Sequence, residues 1–192
     1  MADARVGIRA TQPEDLDAAA ELYAAVAAEG IYIGAEAPVD KGARRERWEK
    51  DLSRDDSLSL VAEAGGEIVG LAGLDGVRVP DLGMLVAREW RGRGVGTRLL
   101  RACIEWARER GAHKISLQVW PHNHAALRLY RKFGFEQEGY LRKHYRRRNG
   151  ELWDAVIMGL LLDEDGEVPE SLNGSQPRET TIVSLTSSNC QA

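Results

Sequence analysis

The chain has 192 residues, of which 43% are hydrophobic and 29% charged, a composition that allows one folded domain with a tail. Its net charge of −4 argues against a general attraction to nucleic acid or to an anionic membrane. The longest apolar run, residues 155–162, is too short to cross a bilayer. Two cysteines make no disulfide framework, and residues 1–6 have no signal-peptide character, so we expect a cytoplasmic protein.

The first third of the chain predicts one strand and two helices. Residues 6–10 have the pattern of a short strand, and Thr11-Gln-Pro-Glu14 has the pattern of a capping box with an early proline. The helix that follows has apolar residues at helical spacing and ends near Gly30. Residues 31–40 resemble a loop, and residues 41–52 predict a charged helix.

The middle of the chain predicts a β-hairpin, a further strand and an amphipathic helix. The hairpin has strands at 58–63 and 68–74 around Gly65-Gly66. An apolar strand at 82–87 follows, and the helix begins near Thr97 and ends at Gly111.

The last part of the domain predicts three strands and one helix. A strand at 114–120 precedes a helix capped by Asn123, and two strands, 135–140 and 153–161, flank a turn at 148–150. The alternation of elements predicts a mixed α/β sheet with helices on both faces.

The periodic pattern stops at residue 163. Residues 163–192 are acidic and then rich in serine and threonine, a composition that predicts disorder. The sequence therefore predicts a domain over residues 1–162 and a tail over 163–192.

A glycine-rich turn at residues 91–96, Arg-Gly-Arg-Gly-Val-Gly, joins a predicted strand to a predicted helix. Glycines permit positive φ, and the backbone N–H groups of such a turn and of the helix N-terminus attract phosphate groups. Arg91 and Arg93 add full positive charges. The pattern predicts a site for a diphosphate-bearing ligand; the alternative is a plain tight turn. It is neither a Walker motif nor a dinucleotide fingerprint, because no Gly-Lys-Ser/Thr follows and position 97 is threonine.

Three features resemble the GNAT superfamily of acyl-CoA-dependent N-acetyltransferases. They are the Arg91-x-x-Gly94-x-Gly96 turn, the spacing from Leu85-Val86 into that turn, and Asn123-x-x-Ala126-x-x-Leu129-Tyr130-x-x-x-Gly134-Phe135. The resemblance covers about residues 5–162. It implies an α/β fold with a central, mostly antiparallel sheet, a splayed strand pair and helices on both faces. It also implies acetyl-CoA as cosubstrate.

The same resemblance implies roles for particular residues. The β-strand backbone before the turn binds the pantetheine arm, the glycine turn holds the pyrophosphate, Asn123 contacts pantetheine, and Tyr130 protonates the leaving thiolate. The implied cofactor-binding residues are Met84, Leu85, Val86, Arg91, Gly92, Arg93, Gly94, Val95, Gly96, Thr97, Asn123 and Tyr130. No metal is expected.

The chemistry requires a proton acceptor as well as a donor. An amine with a pKa of about 10 is protonated at neutral pH and cannot attack a thioester until it loses a proton. Attack then creates an oxyanion, which a strand N–H such as that of Val86 can stabilise. The leaving thiolate, with a pKa of about 8.5 in the simple case, benefits from a proton donor. No covalent enzyme intermediate is needed.

The identity of the base stays open at the level of sequence. Ribosomal-protein alanine acetyltransferases, which the chain also resembles locally, have a glutamate five residues before the asparagine; here that residue is Gln118, which cannot accept a proton at neutral pH. Glu29 and Glu36, on the loop that lines the acceptor site in this family, are the candidate catalytic carboxylates. The alternatives are a water chain, another carboxylate, or solvated loop positions for both residues.

The basic run at residues 142–148 has two readings: a solvated hairpin rim, or a contact for an anionic group of the acceptor or of CoA. Together with Glu29 and Glu36, it suggests a zwitterionic acceptor. We therefore expect transfer of an acetyl group to the primary amine of a small molecule, amino-acid-like or polyamine-like, by direct attack in a ternary complex. Alternatives are acetylation of a protein N-terminus and a non-catalytic acyl-CoA-binding module. We expect no nucleic-acid or membrane partner; a homodimer stays open.

Overall fold

The computed structural model describes residues 6–162, and the predicted tail at 163–192 lies outside them. The strands are β1 (Gly7–Ala10), β2 (Ser57–Ala64), β3 (Glu67–Asp75), β4 (Asp81–Val86), β5 (Lys114–Val119), β6 (Glu136–Arg146) and β7 (Leu152–Leu161). The α-helices are α1 (Leu16–Ala28), α2 (Lys41–Asp51), α3 (Val95–Glu109) and α4 (His124–Lys132). Short 3-10 turns at Pro13–Asp15 and Arg88–Trp90 precede α1 and the glycine turn.

The strands form one seven-stranded sheet in the order β1-β2-β3-β4-β5-β7-β6. All neighbouring strands are antiparallel except β4 and β5, which are parallel. Their only ladder pair is Asp81 with Ser116, at the beginning of β4. Beyond it the two strands diverge, while β4 stays paired with β3 up to Val86 and β5 stays paired with β7 up to Val119. This geometry confirms the predicted splayed pair.

One face of the sheet carries α3 and α4. Alternate residues of β2, such as Leu60 and Ala62, belong to the apolar cluster that includes the buried residues of both helices. At Gly70 of β3, an added Cβ would lie only 3.1 Å from Leu99 Cδ1 and 3.2 Å from Val95 Cγ1. A glycine here lets α3 lie directly on the sheet.

The opposite face carries α1. Val61 and Leu85 alternate with the residues of that cluster and are buried outside it. The helix contacts β3 and β4, and α2 packs on α1. Its buried residues are Leu16, Ala19, Ala20, Val26 and Ala27. The predicted arrangement with helices on both faces is therefore confirmed.

Two predicted helix starts are shifted. The N-terminal cap is Gln12 rather than Thr11, because the backbone N–H of Gln12 donates to the carboxylate of Asp15 at 2.7 Å. The hydroxyl of Thr11 instead forms a hydrogen bond with that of Ser59, at 2.8 Å. Helix α3 begins at Val95 rather than near Thr97, since the left-handed residue before it already turns the chain into the helix.

Strand β6 is longer than predicted, reaching Arg146 rather than residue 140. Its register shifts between Leu141 and Tyr145, where Lys143 has a φ of +51°. The carboxylate of Asp154 on β7 accepts a hydrogen bond from the backbone N–H of Lys143 at 2.6 Å and stabilises this irregularity. The bulge breaks the alternation on which the sequence prediction depends. Over residues 6–162, none of the helices has the length and apolar character of a membrane span.

Candidate functional site

A cleft of about 980 Å³ opens where β4 and β5 diverge. It extends from the glycine turn, between the ends of the two strands, to the face covered by α1 and α2. All the predicted cofactor-binding residues except Arg93 line it, namely Met84, Leu85, Val86, Arg91, Gly92, Gly94, Val95, Gly96, Thr97, Asn123 and Tyr130. The guanidinium of Arg93 lies instead over the ring of Trp90, at 5.3 Å from its centroid.

The glycine turn needs glycine for two different reasons. Gly92 and Gly94 have φ values of +73° and +81°, which side chains adopt at a cost. A Cβ at either position would meet no atom within 4 Å, so the space in front of the turn is open to a ligand. At Gly96 the φ angle is ordinary, but a Cβ would lie 3.0 Å from Met84 Cε and 3.2 Å from Leu129 Cδ2. Gly96 therefore allows α3 to approach β4 and α4 closely.

Arg91 does not extend toward the open side of the turn. Its Nη1 and Nη2 donate to the carboxylate of Glu29 at 2.8 and 2.5 Å, and its Nε donates to the carbonyl of Val86 at 3.0 Å. The guanidinium also lies over the ring of Tyr32, 4.3 Å from its centroid. Hydrogen bonds from Arg91 hold the pKa of the Glu29 carboxyl below its usual value despite partial burial.

Glu36 is also bound within the protein. Its carboxylate accepts hydrogen bonds from the backbone N–H of Arg148 at 3.1 and 3.2 Å and lies 3.5 Å from Nε of Arg147. Neither Glu29 nor Glu36 is among the residues that line the cleft. The two predicted catalytic carboxylates instead fasten the beginning and the middle of the 30–40 loop, Glu29 to the glycine turn and Glu36 to the turn between β6 and β7.

The basic run at 142–148 contains a buried structural arginine. Only 5% of Arg147 is exposed, and its Nη1 donates to the carbonyl of Gly34 at 2.9 Å. Its guanidinium lies 4.3 Å from the ring centroid of Trp153. Neither sequence reading of this run, a solvated rim or an anion contact, anticipated that one of its arginines anchors the 30–40 loop.

Tyr130 and Asn123 come from α4 and line the cleft between β4 and β5. Tyr130 is buried next to Phe135, and this burial raises the pKa of its hydroxyl, which therefore stays protonated at neutral pH. The side-chain oxygen of Asn123 caps α4 by accepting from the backbone N–H of Ala126 at 3.2 Å. Its amide nitrogen is left as a donor facing the cleft.

Asp81 is a cleft carboxylate that sequence reasoning missed. Leu82 and Met84 belong to the α3 side of the sheet, so Asp81 and Gly83 lie on the α1 side, where both line the cleft. Asp81 is exposed to the cleft, but nearby protein atoms partly desolvate its carboxyl, and this desolvation, with the charge of Asp75, raises the pKa of that carboxyl. Within residues 6–162 no hydrogen bond or ion pair is made by its side chain. In the sequence, an acidic residue at the first position of a strand resembles a residue of the preceding turn, so the pattern does not indicate Asp81 as a site residue.

Gln118 lies on β5 and lines the cleft from the other side of the splay. Its Oε1 accepts a hydrogen bond from the hydroxyl of Tyr145 at 2.5 Å, which fixes the orientation of the amide. Among the described residues no group of three or more histidine, cysteine, aspartate or glutamate side chains could hold a metal ion.

The comparison with known proteins agrees with this geometry. Residues 18–135 match the sequence model described as the acetyltransferase (GNAT) family. The chain belongs to the GNAT family. The protein is therefore an acyltransferase of the N-acetyltransferase type, and acetyl-CoA is its acetyl donor.

Three relatives are informative. An L-amino acid N-acetyltransferase of Escherichia coli is 37% identical over 58% of this chain and 73% of its own length. An L-methionine sulfoximine/L-methionine sulfone acetyltransferase of Pseudomonas aeruginosa is 31% identical over 84% of this chain and 98% of its own. The crystal structure of a ribosomal-protein-alanine N-acetyltransferase from Brucella melitensis has a TM-score of 0.75 and 31% identity, covering 81% of this chain and 99% of that one.

Proposed function

We propose that the protein acetylates the primary amine of a small, amino-acid-like or polyamine-like molecule by direct attack within a ternary complex. The observation that carries the proposal is the continuity of the cleft. The same opening between β4 and β5 is lined at one end by the glycine turn and at the other by residues of α1 and α2, such as Tyr23 and Trp48. Both substrates can therefore meet where the strands diverge.

The donor end of the cleft fits acetyl-CoA. The glycine turn has open space and positive φ angles, and the first turn of α3 provides N–H groups without intrahelical partners. Among residues 6–162, the edge of β4 that faces β5 has no strand partner beyond Asp81, so its backbone can bind an extended pantetheine arm as a further strand would. Acetyl-CoA supplies the thioester carbonyl that the amine attacks.

Tyr130 is the proposed proton donor. When the new C–N bond forms and the C–S bond breaks, the thiolate takes the proton of the Tyr130 hydroxyl. The raised pKa of this hydroxyl keeps the proton in place before the reaction. Asn123 presents its amide nitrogen from the same helix, as a second donor toward the pantetheine arm.

The proposed proton acceptor is Asp81, acting directly or through water, rather than Glu29 or Glu36. Arg91 binds the Glu29 carboxylate and Arg148 binds that of Glu36, whereas Asp81 is unpaired within the described residues and lines the cleft. A carboxyl with a raised pKa is a stronger base once ionised. In this proposal Glu29 and Glu36 are positioning residues that hold the 30–40 loop.

Amino-acid-like acceptors are favoured over protein N-termini. The amino acid acetyltransferases of Escherichia coli and Pseudomonas aeruginosa are among the relatives, and the latter aligns with most of this chain. Tyr32 and Gly34 of the fastened loop also line the cleft, which limits the room beside the acceptor. The resemblance to a ribosomal-protein-alanine acetyltransferase keeps a peptide N-terminus as the second candidate.

Thiol release from acetyl-CoA tests the proposal. The panel comprises L-amino acids, their decarboxylated amines, polyamines and an alanine-terminated peptide, each measured against the hydrolysis background. We expect one small-molecule class to give the highest kcat/KM. Acetylation of the peptide alone contradicts the small-molecule proposal, and no release with any amine favours the non-catalytic module.

The variant Tyr130→Phe tests the proton donor. We expect kcat to fall by about 10- to 1000-fold with little change in the KM for acetyl-CoA, because the hydroxyl acts on charge that develops late. Tyr140→Phe is the matched control, since Tyr140 is exposed and pairs with Asp154 outside the cleft. If Tyr130→Phe keeps the wild-type kcat under conditions in which the chemical step is rate-limiting, the role of Tyr130 is packing alone.

A further inference from the structure

The wall of the cleft formed by α2 carries a positive charge that no carboxylate neutralises. Arg44 and Arg47 both line the cleft, and neither forms an ion pair with any residue between 6 and 162. Two other cations of this helix are paired: Lys41 with Glu21 at 2.5 Å, and Arg45 with Asp17 at 3.0 Å. The two unpaired guanidinium groups are the ones that face the interior of the cleft.

Arg44 is held in a defined position. Its Nη2 donates to the hydroxyl of Tyr23 at 3.0 Å, and its guanidinium lies 4.4 Å from the ring centroid of Tyr23 and 5.6 Å from that of Trp48. The two rings contact each other edge to face, with centroids 5.5 Å apart. These contacts with Tyr23 and Trp48 orient the guanidinium, while Nε and Nη1 make no hydrogen bond to a described residue. Nη2 carries a second N–H, so the fork that it shares with Nε or with Nη1 remains as a parallel pair of donors, which suits a carboxylate.

Negative charge also lies in the lining of the same cleft. Asp81 on β4 carries the unpaired carboxylate, and Gly83 beside it leaves open space, with no atom within 4 Å of an added Cβ. Asp51 and Asp75 also line the cleft, but Arg54 binds both, at 3.6 and 2.8 Å. Within the part of the chain that the structure describes, the cleft therefore has unpaired cations on α2 and an unpaired anion on β4.

We propose that Arg44 binds the carboxylate of the acceptor, assisted by Arg47, and that the acceptor is consequently a zwitterionic amino acid with its amine toward Asp81. This inference rests on the proposed function and names the specificity residue of its acceptor site. It replaces the earlier expectation that Glu29, Glu36 and the 142–148 run recognise the two charges, because Glu29 is bound by Arg91, and Glu36 is bound by Arg147 and Arg148 of that run. Polyamines and simple amines would leave Arg44 unpaired and meet a like charge.

Equilibrium binding tests the inference without turnover. The probes are L-methionine sulfone and L-leucine, each compared with its carboxamide, titrated by calorimetry into protein saturated with CoA. We expect the wild type to bind at least one acid about 10- to 100-fold more tightly than the matching carboxamide, the range for a charge-assisted hydrogen-bonded pair. Equal affinities, or tighter binding of both carboxamides, overturn the inference.

Variants of Arg44 test whether this residue is the source of the preference for an acid over its carboxamide. In Arg44→Gln we expect the ratio of acid to carboxamide affinity to fall toward one, and in Arg44→Lys we expect an intermediate ratio because the charge stays and the planar fork is lost. Lys50→Gln is the matched control, since Lys50 is an exposed cation of the same helix that does not line the cleft. An unchanged ratio in Arg44→Gln overturns the assignment even if overall affinity falls, because altered packing of Tyr23 affects both probes alike.

The inference and the proposed function fail in different measurements. Absence of thiol release with every amine contradicts the acetyltransferase proposal, whereas absence of an acid preference in wild-type binding, or its persistence in Arg44→Gln, contradicts the role of Arg44. If amines are acetylated with no preference for a carboxylate, the proposed reaction stands and Arg44 is not its specificity residue.

Discussion

The guanidinium of Arg91 and the carboxylate of Glu29, 62 positions apart in the chain, form a two-point pair with N–O distances of 2.8 and 2.5 Å. Arg91 belongs to the glycine turn, and Glu29 lies at the end of α1, where the 30–40 loop begins. The same guanidinium holds the carbonyl of Val86, the last residue of β4. The pair thus links the donor end of the cleft to the loop on its acceptor side.

The variant Glu29→Gln is expected to weaken both substrate sites together. Loss of the charge leaves Arg91 partly buried without its counter-ion, so we expect the Kd for acetyl-CoA and the KM for the acceptor each to rise by about 3- to 10-fold. The apparent pKa of the pH–rate profile should not change. Glu21→Gln, which removes an exposed partner of Lys41, is the control. Loss of the acidic limb of that profile would instead identify Glu29 as the base.

Negative charge in the glycine turn should oppose cofactor binding. Asparagine and aspartate have almost the same shape and tolerate left-handed φ comparably, so Gly94→Asn and Gly94→Asp share the conformational cost at φ +81°. We expect Gly94→Asp to bind acetyl-CoA about 10-fold or more weakly than Gly94→Asn, because only the aspartate repels the pyrophosphate. Calorimetric titration of both variants measures the difference. Equal affinities would place the pyrophosphate elsewhere.

Asp81→Asn should remove the proton acceptor. We expect kcat to fall by about 10²- to 10⁴-fold, and the limb of the pH–rate profile that reports the base to disappear. Asp55→Asn is the control, because Asp55 is exposed and does not line the cleft. A profile with an unchanged acidic limb in Asp81→Asn would exclude this residue as the base and favour a water chain.

The substitution Asp81→Asn should raise thermal stability although it lowers activity. Burial and Asp75 raise the pKa of the Asp81 carboxyl above its value in the unfolded chain, so ionisation at neutral pH opposes folding. We expect Asp81→Asn to unfold at a higher temperature than the wild type at pH 7. The gain should vanish as the pH falls below about 4, the range where the unfolded carboxyl is itself protonated. Thermal unfolding followed across pH 3–8 measures this crossover.

Asp15 should be a stability determinant distant from the chemistry. Its side chain is 8% exposed and receives hydrogen bonds from Arg9 at 2.6 and 2.8 Å and from the backbone N–H of Gln12 at 2.7 Å. We expect Asp15→Asn to lower the free energy of unfolding at pH 7 by about 1–3 kcal/mol, with kcat unchanged. Arg9 lowers the pKa of this carboxyl, so its contribution is present above pH about 4 and is lost as the pH falls through the folded pKa. Chemical denaturation of both proteins at pH 7 and pH 3 measures it.

The sequence by itself determined the order of the elements, the glycine turn and the cap at Asn123. These features depend on residues a few positions apart: apolar spacing of two or 3.6 residues, positive φ at glycine, and a side chain that accepts from the third residue along. The family motifs extended this local information to the splayed strands. The predicted capping box at Thr11 was off by one residue, because the hydroxyl of Thr11 pairs instead with the distant Ser59, 48 positions away.

Only the tertiary structure decided which charges are free to act. Glu29, Glu36 and Arg147 are bound by partners 62 to 113 residues away, while Asp81 and Arg44, in the cleft, form no ion pair with any residue between 6 and 162. A charged side chain has no preferred spacing in sequence, since its energy depends on the distance to other charges and on the water excluded around it. The distances between charges and the exclusion of water are set only in the folded protein, where β4 and β5 diverge and the 30–40 loop is held in place.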